Sequence, residues 1–254
     1  MKPAPFAYHR PETLAEALEL MAEHGDDCKA LAGGQSLLPL LAMRLAQPAV
    51  IVDLGRVPEL RRREGGLVGA MVTNTQLERD PAGLAPLIGA ALPHLGHFQI
   101  RNRGTLGGSL AHLDPAAEWP ALALLLEARL TLQSRERGRR SLAAAEFMKG
   151  PLTTALAADE LLTEVSFPAW PAEARWGFAE VARRPGDFAL AGAACTVIGG
   201  RRRVLVFATG RLPQLVEDPD HVEAGGDLHA SAGYRKRVAG ELIRKVLQQA
   251  GEVA

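Results

Sequence analysis

Cysteine is scarce. The 254 residues contain only Cys28 and Cys195, far apart and in no C-x-x-C pair. A disulfide framework is thereby excluded. So is an iron–sulfur cluster held by this chain alone, because such clusters take about four thiolates. An excess of either charge is also missing, with Lys plus Arg and Asp plus Glu both at 29. That balance argues against nucleic acid as a partner, since phosphate binding needs a basic face. The clusters Arg61-Arg62-Arg63 and Arg201-Arg202-Arg203 read as solvated loop or strand ends, with subunit contact as the alternative. No run reaches the ~20 apolar residues of a membrane span. The opening MKPAPFAYHRPET lacks the apolar core of a signal peptide. The expectation is a soluble, cytoplasmic chain. Absent too are G-x-x-x-x-G-K-S/T, G-x-G-x-x-G and G-x-S-x-G, which removes the common phosphate loops and the nucleophile elbow.

What is present is a chain long enough for a large core and more than one compact lobe, with 47% hydrophobic residues. In PETLAEALELMAEHG, Leu14, Ala17, Leu18 and Met21 share a helical face. Thr13 and Glu16 have capping-box spacing, and Gly25 suits the stop. CKALA and AVIVDLG read as strands around a short helix or turn, Leu37 to Leu45, broken or kinked near Pro39. GLVGAMVT, RLTLQS and ELLTEVSFP read as further strands, and Leu84–Leu95 and Trp119–Ala128 as helices. After Pro171 the pattern changes to antiparallel strands joined by Gly turns. A polar loop, Asp218 to Gly226, precedes a last helix from about Ser231 to Gln249. No tandem repeat is present.

Two short stretches stand apart. LAGGQSLLPL (Leu31–Leu40) and RGTLGGSLAH (Arg103–His112) each carry Gly-Gly beside a hydroxyl residue, Ser36 or Ser109. Small residues let backbone N–H groups approach a ligand closely. Two such clusters suit a diphosphate without lysine; each by itself is also an ordinary turn. His112, Asp114 and Glu118 follow the second stretch. They make a poor metal set, since no second histidine stands at ligand spacing. Acidic groups accept well from ribose hydroxyls, while Asp114 before Pro115 also reads as a helix cap and His112 as a hydrogen-bonded, partly buried imidazole. No nucleophile–base pair is visible.

AGGQS, IRNRGTLGGSLAHLDPAAEWP and FAEVARRPGDFAL, in this order, resemble the FAD-binding medium subunit of molybdenum hydroxylases. That group contains the carbon monoxide dehydrogenase medium subunit and the flavin domain of xanthine dehydrogenase. DLHASAGYRKRVAGELIRKVL resembles the family's closing helix. The resemblance implies an α+β chain with the p-cresol methylhydroxylase-type FAD fold. Its two α/β subdomains would be residues 1–56 and 57–170, followed by a small α+β C-terminal domain, 171–254.

Ala32, Gly33, Gly34, Gln35 and Ser36, with Leu37 after them, would bind the FAD diphosphate through backbone amides. Thr105, Gly107, Gly108 and Ser109 would do the same. Glu118 matches the acidic position at the ribose, with Asp114 close by. Ile100 and Leu162 match apolar positions at the flavin or adenine. Phe188 falls beside the isoalloxazine ring, and Glu180 near its flavin end. No catalytic residue and no metal ligand are expected of this chain.

Substrate would be hydroxylated in a large molybdopterin-binding subunit. Electrons would cross 2Fe–2S clusters of a small subunit to FAD here, then reach an external acceptor. The expected assembly is a dimer of heterotrimers. A stand-alone flavin oxidoreductase and a cofactor-free scaffold are the alternatives. Two departures stand out. Gln35 replaces a frequent His, and the Thr196–Leu228 region is shorter than in relatives, so the C-terminal domain is expected to be trimmed.

Overall fold

The computed structural model describes residues 2–218 and 221–252. Residues 219–220 of the polar loop expected at Asp218–Gly226 lie outside the described residues, as does the first residue of the opening segment.

The N-terminal sheet has three parallel strands, in the order Ala7–His9, Val50–Asp53, Cys28–Leu31. The helix Leu14–His24 makes the crossover and buries Ala17, Leu18 and Met21 against this sheet. Thr13 caps it by accepting the Glu16 amide at 3.2 Å, and Gly25 at φ 48° ends it. The capping-box partner is displaced by one residue, because the Glu16 carboxylate accepts the Glu12 amide at 2.9 Å. The next helix, Leu37–Ala42, runs through Pro39 without a break. Proline is tolerated there because a first-turn N–H has no intrahelical partner to lose.

A five-stranded antiparallel sheet follows, in the order Arg63–Glu64, Leu67–Gly69, Leu161–Ser166, Arg129–Ser134, Gly138–Ala143. Its apolar side chains, Val68, Leu130, Leu132, Leu162 and Val165, share a core with Trp119 and Phe147. Helix Glu118–Leu125 is apolar around its circumference and is buried accordingly.

The C-terminal strands Arg175–Ala182, Ala189–Ile198, Arg201–Phe207 and Gln214–Leu215 form an antiparallel sheet covered on both faces. Period-two alternation sorts its residues. Phe178, Leu205 and Phe207 enter the middle core, whereas Ala191, Ala193, Cys195, Val204 and Val206 meet the closing helix Ala232–Gln249. That helix lies directly on the sheet: a Cβ at Gly177 would stand 2.1 Å from the Val246 carbonyl oxygen. The Cys195 thiol donates to the same oxygen at 3.1 Å, and burial pushes its pKa up to about 11. Among the described residues, the connection from Phe207 to Ala232 carries no α-helix, in agreement with a shortened C-terminal part.

Candidate functional site

The two glycine stretches, about seventy residues apart in the chain, meet edge to edge. Gly33 lies against the backbone at the start of the second stretch, so that a Cβ there would stand 2.2 Å from the Arg103 carbonyl oxygen and 2.9 Å from the Gly104 Cα. At Gly108 a Cβ would stand 3.2 Å from the Ala32 Cβ. Side chains at either place would hold the two stretches apart. Gly34 adopts φ +78°, a left-handed conformation that favours glycine.

Their local structures differ. The first stretch is a turn between strand Cys28–Leu31 and helix Leu37–Ala42. Among the described residues the amides of Gly34, Gln35, Ser36 and Leu37 donate to no protein acceptor, and the Ser36 hydroxyl makes no cap bond. The second stretch is not a turn. It is the helix Leu106–His112, capped by Thr105, whose Oγ1 accepts the Gly108 amide at 3.0 Å. Leu106 and Gly107 donate to the Val72 and Ala70 carbonyls at 3.1 and 2.9 Å, and Ser109 donates to Thr105 at 3.1 Å. Of the amide donors expected from Thr105 to Ser109, those of Gly107, Gly108 and Ser109 are therefore engaged inside the protein, and among the described residues the Thr105 amide donates to no protein acceptor. What else remains on that side is hydroxyls and an absence of bulk: a Cβ at Gly107 would lie 2.4 Å from the Ala70 Cβ.

A cavity of about 670 Å³ opens along this seam, lined by residues of the N-terminal and five-stranded sheets and by the Gly186–Phe188 loop. Ala32, Gly33, Gly34, Gln35, Ser36 and Leu37 line it from one side, and Thr105, Gly107, Gly108 and Ser109 from the other. Ile100, Asp114, Glu118, Leu162 and Phe188 complete the predicted set. Phe188 is 61% exposed, a large apolar ring at the mouth. Gly186 sets the turn that presents it, at φ +85° with the His97 ring where a Cβ would go. Asp114 accepts the Ala116 amide at 2.8 Å and so closes a turn, whereas the cap position of the next helix, Glu118–Leu125, is Ala117 and the expected cap at Asp114 is not made.

Glu180 is the one predicted residue away from the wall. Its side chain is 3% exposed and pairs with His94, Oε1 to Nδ1 at 3.2 Å. Its Oε2 is buried with no hydrogen-bond partner. Glu118, 4% exposed, lines the cavity itself. Burial, reinforced by the Glu180 charge, pushes the Glu118 carboxyl up to about 8. The hydrogen bond to Glu180 raises the His94 imidazole above its ordinary value. These groups do not make a metal centre, since no cluster of three or more potential ligands able to hold an ion occurs among the described residues.

Sequence reasoning missed several wall residues. Asn74 is buried at the seam, donates its amide to Gly104 at 2.9 Å and accepts the Trp119 indole N–H at 2.9 Å. Thr153, Thr154 and Leu156 reach the cavity from the hairpin of strands Met148–Gly150 and Thr153–Thr154. Nothing in their local sequence marks them; only tertiary pairing brings them in.

The cavity suits an elongated dinucleotide. Its lining combines unengaged amides and hydroxyls, a glycine seam that admits close approach, and apolar and acidic side chains. Comparison with known proteins agrees. Residues 4–170 match the family model described as the FAD binding domain in molybdopterin dehydrogenase. The chain is 41% identical to the nicotine 6-hydroxylase medium subunit of Paenarthrobacter nicotinovorans, covering 99% of each. That alignment runs over 284 positions against the 254 residues here, so this chain is the shorter. Among solved structures, carbon monoxide dehydrogenase from Hydrogenophaga pseudoflava superposes with a TM-score of 0.92 at 33% identity, covering 99% of each chain. Quinoline 2-oxidoreductase from Pseudomonas putida 86 gives 0.89 at 38% identity, again covering 99% of each. With the glycine seam, the cavity and these likenesses in agreement, the chain belongs to the FAD-binding medium subunits of the molybdenum hydroxylases, a family of oxidoreductase components.

Proposed function

We propose that this chain is the electron-transferring flavoprotein subunit of a heteromeric molybdenum hydroxylase. It would take electrons from the 2Fe–2S clusters of a small subunit, serve a large molybdopterin-binding subunit, and deliver to an external acceptor. The assembly is a dimer of such heterotrimers in the cytoplasm, and the three units 1–56, 57–170 and 171–254 frame the flavin. The observation that carries this reading is the convergence of Gly33 and Gly108 on one cavity, beside four amides with no protein acceptor.

FAD supplies reversible one- and two-electron chemistry when bound. The chain's residues do the positioning. The Gly34–Leu37 amides would hold the diphosphate, supplying the positive ends of peptide dipoles without a formal charge. Glu118 and Asp114 present oxygen acceptors to ribose or ribityl hydroxyls. Ile100, Leu162 and Phe188, on the cavity lining, would exclude water from the ring systems. The iron–sulfur and molybdenum centres belong to the other subunits, because two buried cysteines cannot ligate a cluster.

The test is purification of the full chain alone, and co-expression with candidate large and cysteine-rich small subunits encoded beside it. A yellow protein with flavin absorbance that copurifies with both, and whose flavin is reduced only when the small subunit is present, fits the proposal. A colourless chain overturns the flavin reading. A yellow chain that oxidises a substrate unaided overturns the subunit reading.

A further inference from the structure

The second glycine stretch keeps few amides for a ligand, since those of Gly107, Gly108 and Ser109 already have protein acceptors. A donor from another element stands beside it. Asn74 opens the helix Asn74–Arg79 and lines the cavity while only 5% exposed. Its backbone amide donates to the Gly104 carbonyl at 2.9 Å, which fastens it to the start of the second stretch.

The orientation of its side chain is fixed. The Trp119 indole N–H, a donor and never an acceptor, lies 2.9 Å from Asn74 Oδ1. The carboxamide oxygen is thereby held toward the core, where Trp119 is fully buried, and Nδ2 is turned the other way. It comes up beside Gly104, a residue of the cavity wall, so that a Cβ there would stand 3.2 Å from Nδ2. Among the described residues Nδ2 donates to no protein acceptor, yet it is not sealed in as an enclosed orphan. Two N–H donors of a nearly buried side chain are left for whatever fills the cavity.

We propose that the Asn74 carboxamide is a phosphate-binding donor of the flavin cavity, held in register by Trp119, and that it stands in for the engaged amides of the second stretch. That the phosphates are those of a dinucleotide rests on the flavin reading. The fixed, unpartnered N–H pair is a property of the chain.

Its position selects phosphate over the ring systems. Nδ2 stands at Gly104, where the seam closes: a Cβ at Gly33 would lie 2.9 Å from the Gly104 Cα. The unengaged amides of Gly34 to Leu37 follow directly on Gly33, and the Thr105 amide, next to Gly104, has no protein acceptor either. Free N–H groups from three elements thus gather near one point of the wall. Such a gathering suits a group with several acceptor oxygens and a negative charge. A neutral carboxamide also leaves no bare charge in the cavity before the ligand arrives.

The experiment is NMR of the full chain carrying isotope-labelled asparagine. The sequence has two asparagines, Asn74 and Asn102, and Asn102 is an exposed control off the cavity wall. FAD should move the Asn74 side-chain NH₂ protons downfield and leave those of Asn102 nearly in place. Millimolar ADP should do the same, whereas riboflavin, which has no phosphate, should not. Asn74→Leu should weaken FAD about ten- to a hundredfold, the worth of hydrogen bonds to a charged acceptor. Trp119→Phe frees the carboxamide to take two orientations and should weaken FAD only about twofold.

Equal losses in the two variants overturn the proposal, because Asn74 would then serve only to hold Trp119. An Asn74 NH₂ that bound FAD leaves unmoved overturns it too, as does one that riboflavin moves and ADP does not. If Asn74→Leu fails to fold, the wild-type spectra decide. A chain that binds no FAD, while ADP moves the Asn74 NH₂, overturns the flavin reading and supports the donor. A chain that responds to neither overturns both.

Discussion

The two glycine stretches look alike in sequence and do different work. Around Gly34 the chain has no regular hydrogen bonding, so its amides face the cavity unengaged. Around Gly108 the chain is a capped helix whose early amides are satisfied by Thr105, Ala70 and Val72. One stretch is a set of donors; the other is a thin wall that lets those donors be reached. Similar composition thus conceals a division of labour, and what decides it is whether the backbone's own hydrogen bonds are already made.

The sharpest way to break this comparison is Gly33→Ala. Its methyl meets backbone, the Arg103 carbonyl oxygen at 2.2 Å, and neither side can yield by rotating a side chain. We expect loss of FAD retention and about 1–3 kcal/mol of stability, the usual cost of overpacking, read by flavin absorbance and denaturant unfolding. Gly108→Leu should abolish FAD retention while the C-terminal sheet and helix stay folded, as near-native circular dichroism would show. At that site the first obstacles are side-chain atoms, Thr105 Oγ1 at 2.8 Å and the Ala32 Cβ at 3.2 Å.

The cavity floor gives the next largest effect. In the folded chain Glu118 keeps a proton that the unfolded chain releases at ordinary carboxylate pH, so native stability falls as pH rises from about 4.5 to about 8. Glu118→Gln removes that dependence. Its stability advantage should grow across this window to on the order of 2–3 kcal/mol at pH 8, measured by urea melts at several pH values. An advantage that shrinks with rising pH would contradict the account.

A smaller pair of effects separates donor from wall. Thr105→Val removes the cap on Gly108 and should cost about 1 kcal/mol of folding stability. Ser36→Ala should leave the melting curve unchanged and weaken FAD by about tenfold or less, the worth of one neutral hydrogen bond. The reverse pattern would exchange the roles of the two stretches.

The smallest effect, far from both loops, is Asp227→Asn. Asp227 accepts the His229 and Ala230 amides and pairs with Arg235, which together hold its pKa down to about 2. The carboxylate's contribution is present at neutral pH and is lost as pH falls through about 2. Because the group is half exposed, solvent screening keeps that contribution to about 1 kcal/mol or less. FAD binding should not change.

How much of this was legible beforehand follows from which interactions are local. The helix at Leu14–His24 shows through its apolar spacing, Thr13 cap and glycine stop, all short-range signals. The two-sided burial of Ala189–Ile198 shows as a small, apolar run between glycine turns. The helical nature of Leu106–His112 did not show, because two glycines argue against a helix and the stabilising bonds come from Ala70 and Val72, remote in sequence. The unbroken passage through Pro39 depends on helix position, which composition does not reveal. At the site, Gly33, Ser36, Thr105 and Phe188 could be selected through a family resemblance carried by contiguous motifs. Asn74 and His94 could not, since their roles arise only when distant elements pack. The same resemblance points to Glu180, which lies buried off the wall, paired with His94.

The most direct test is an amide NMR titration of the full chain with FAD. The account predicts that the Gly34, Gln35 and Ser36 amide protons move downfield on donating to the diphosphate, while Gly107 and Gly108 keep shifts typical of bonds already made. Large downfield shifts at Gly107 and Gly108, with Gly34 to Ser36 unmoved, would contradict it.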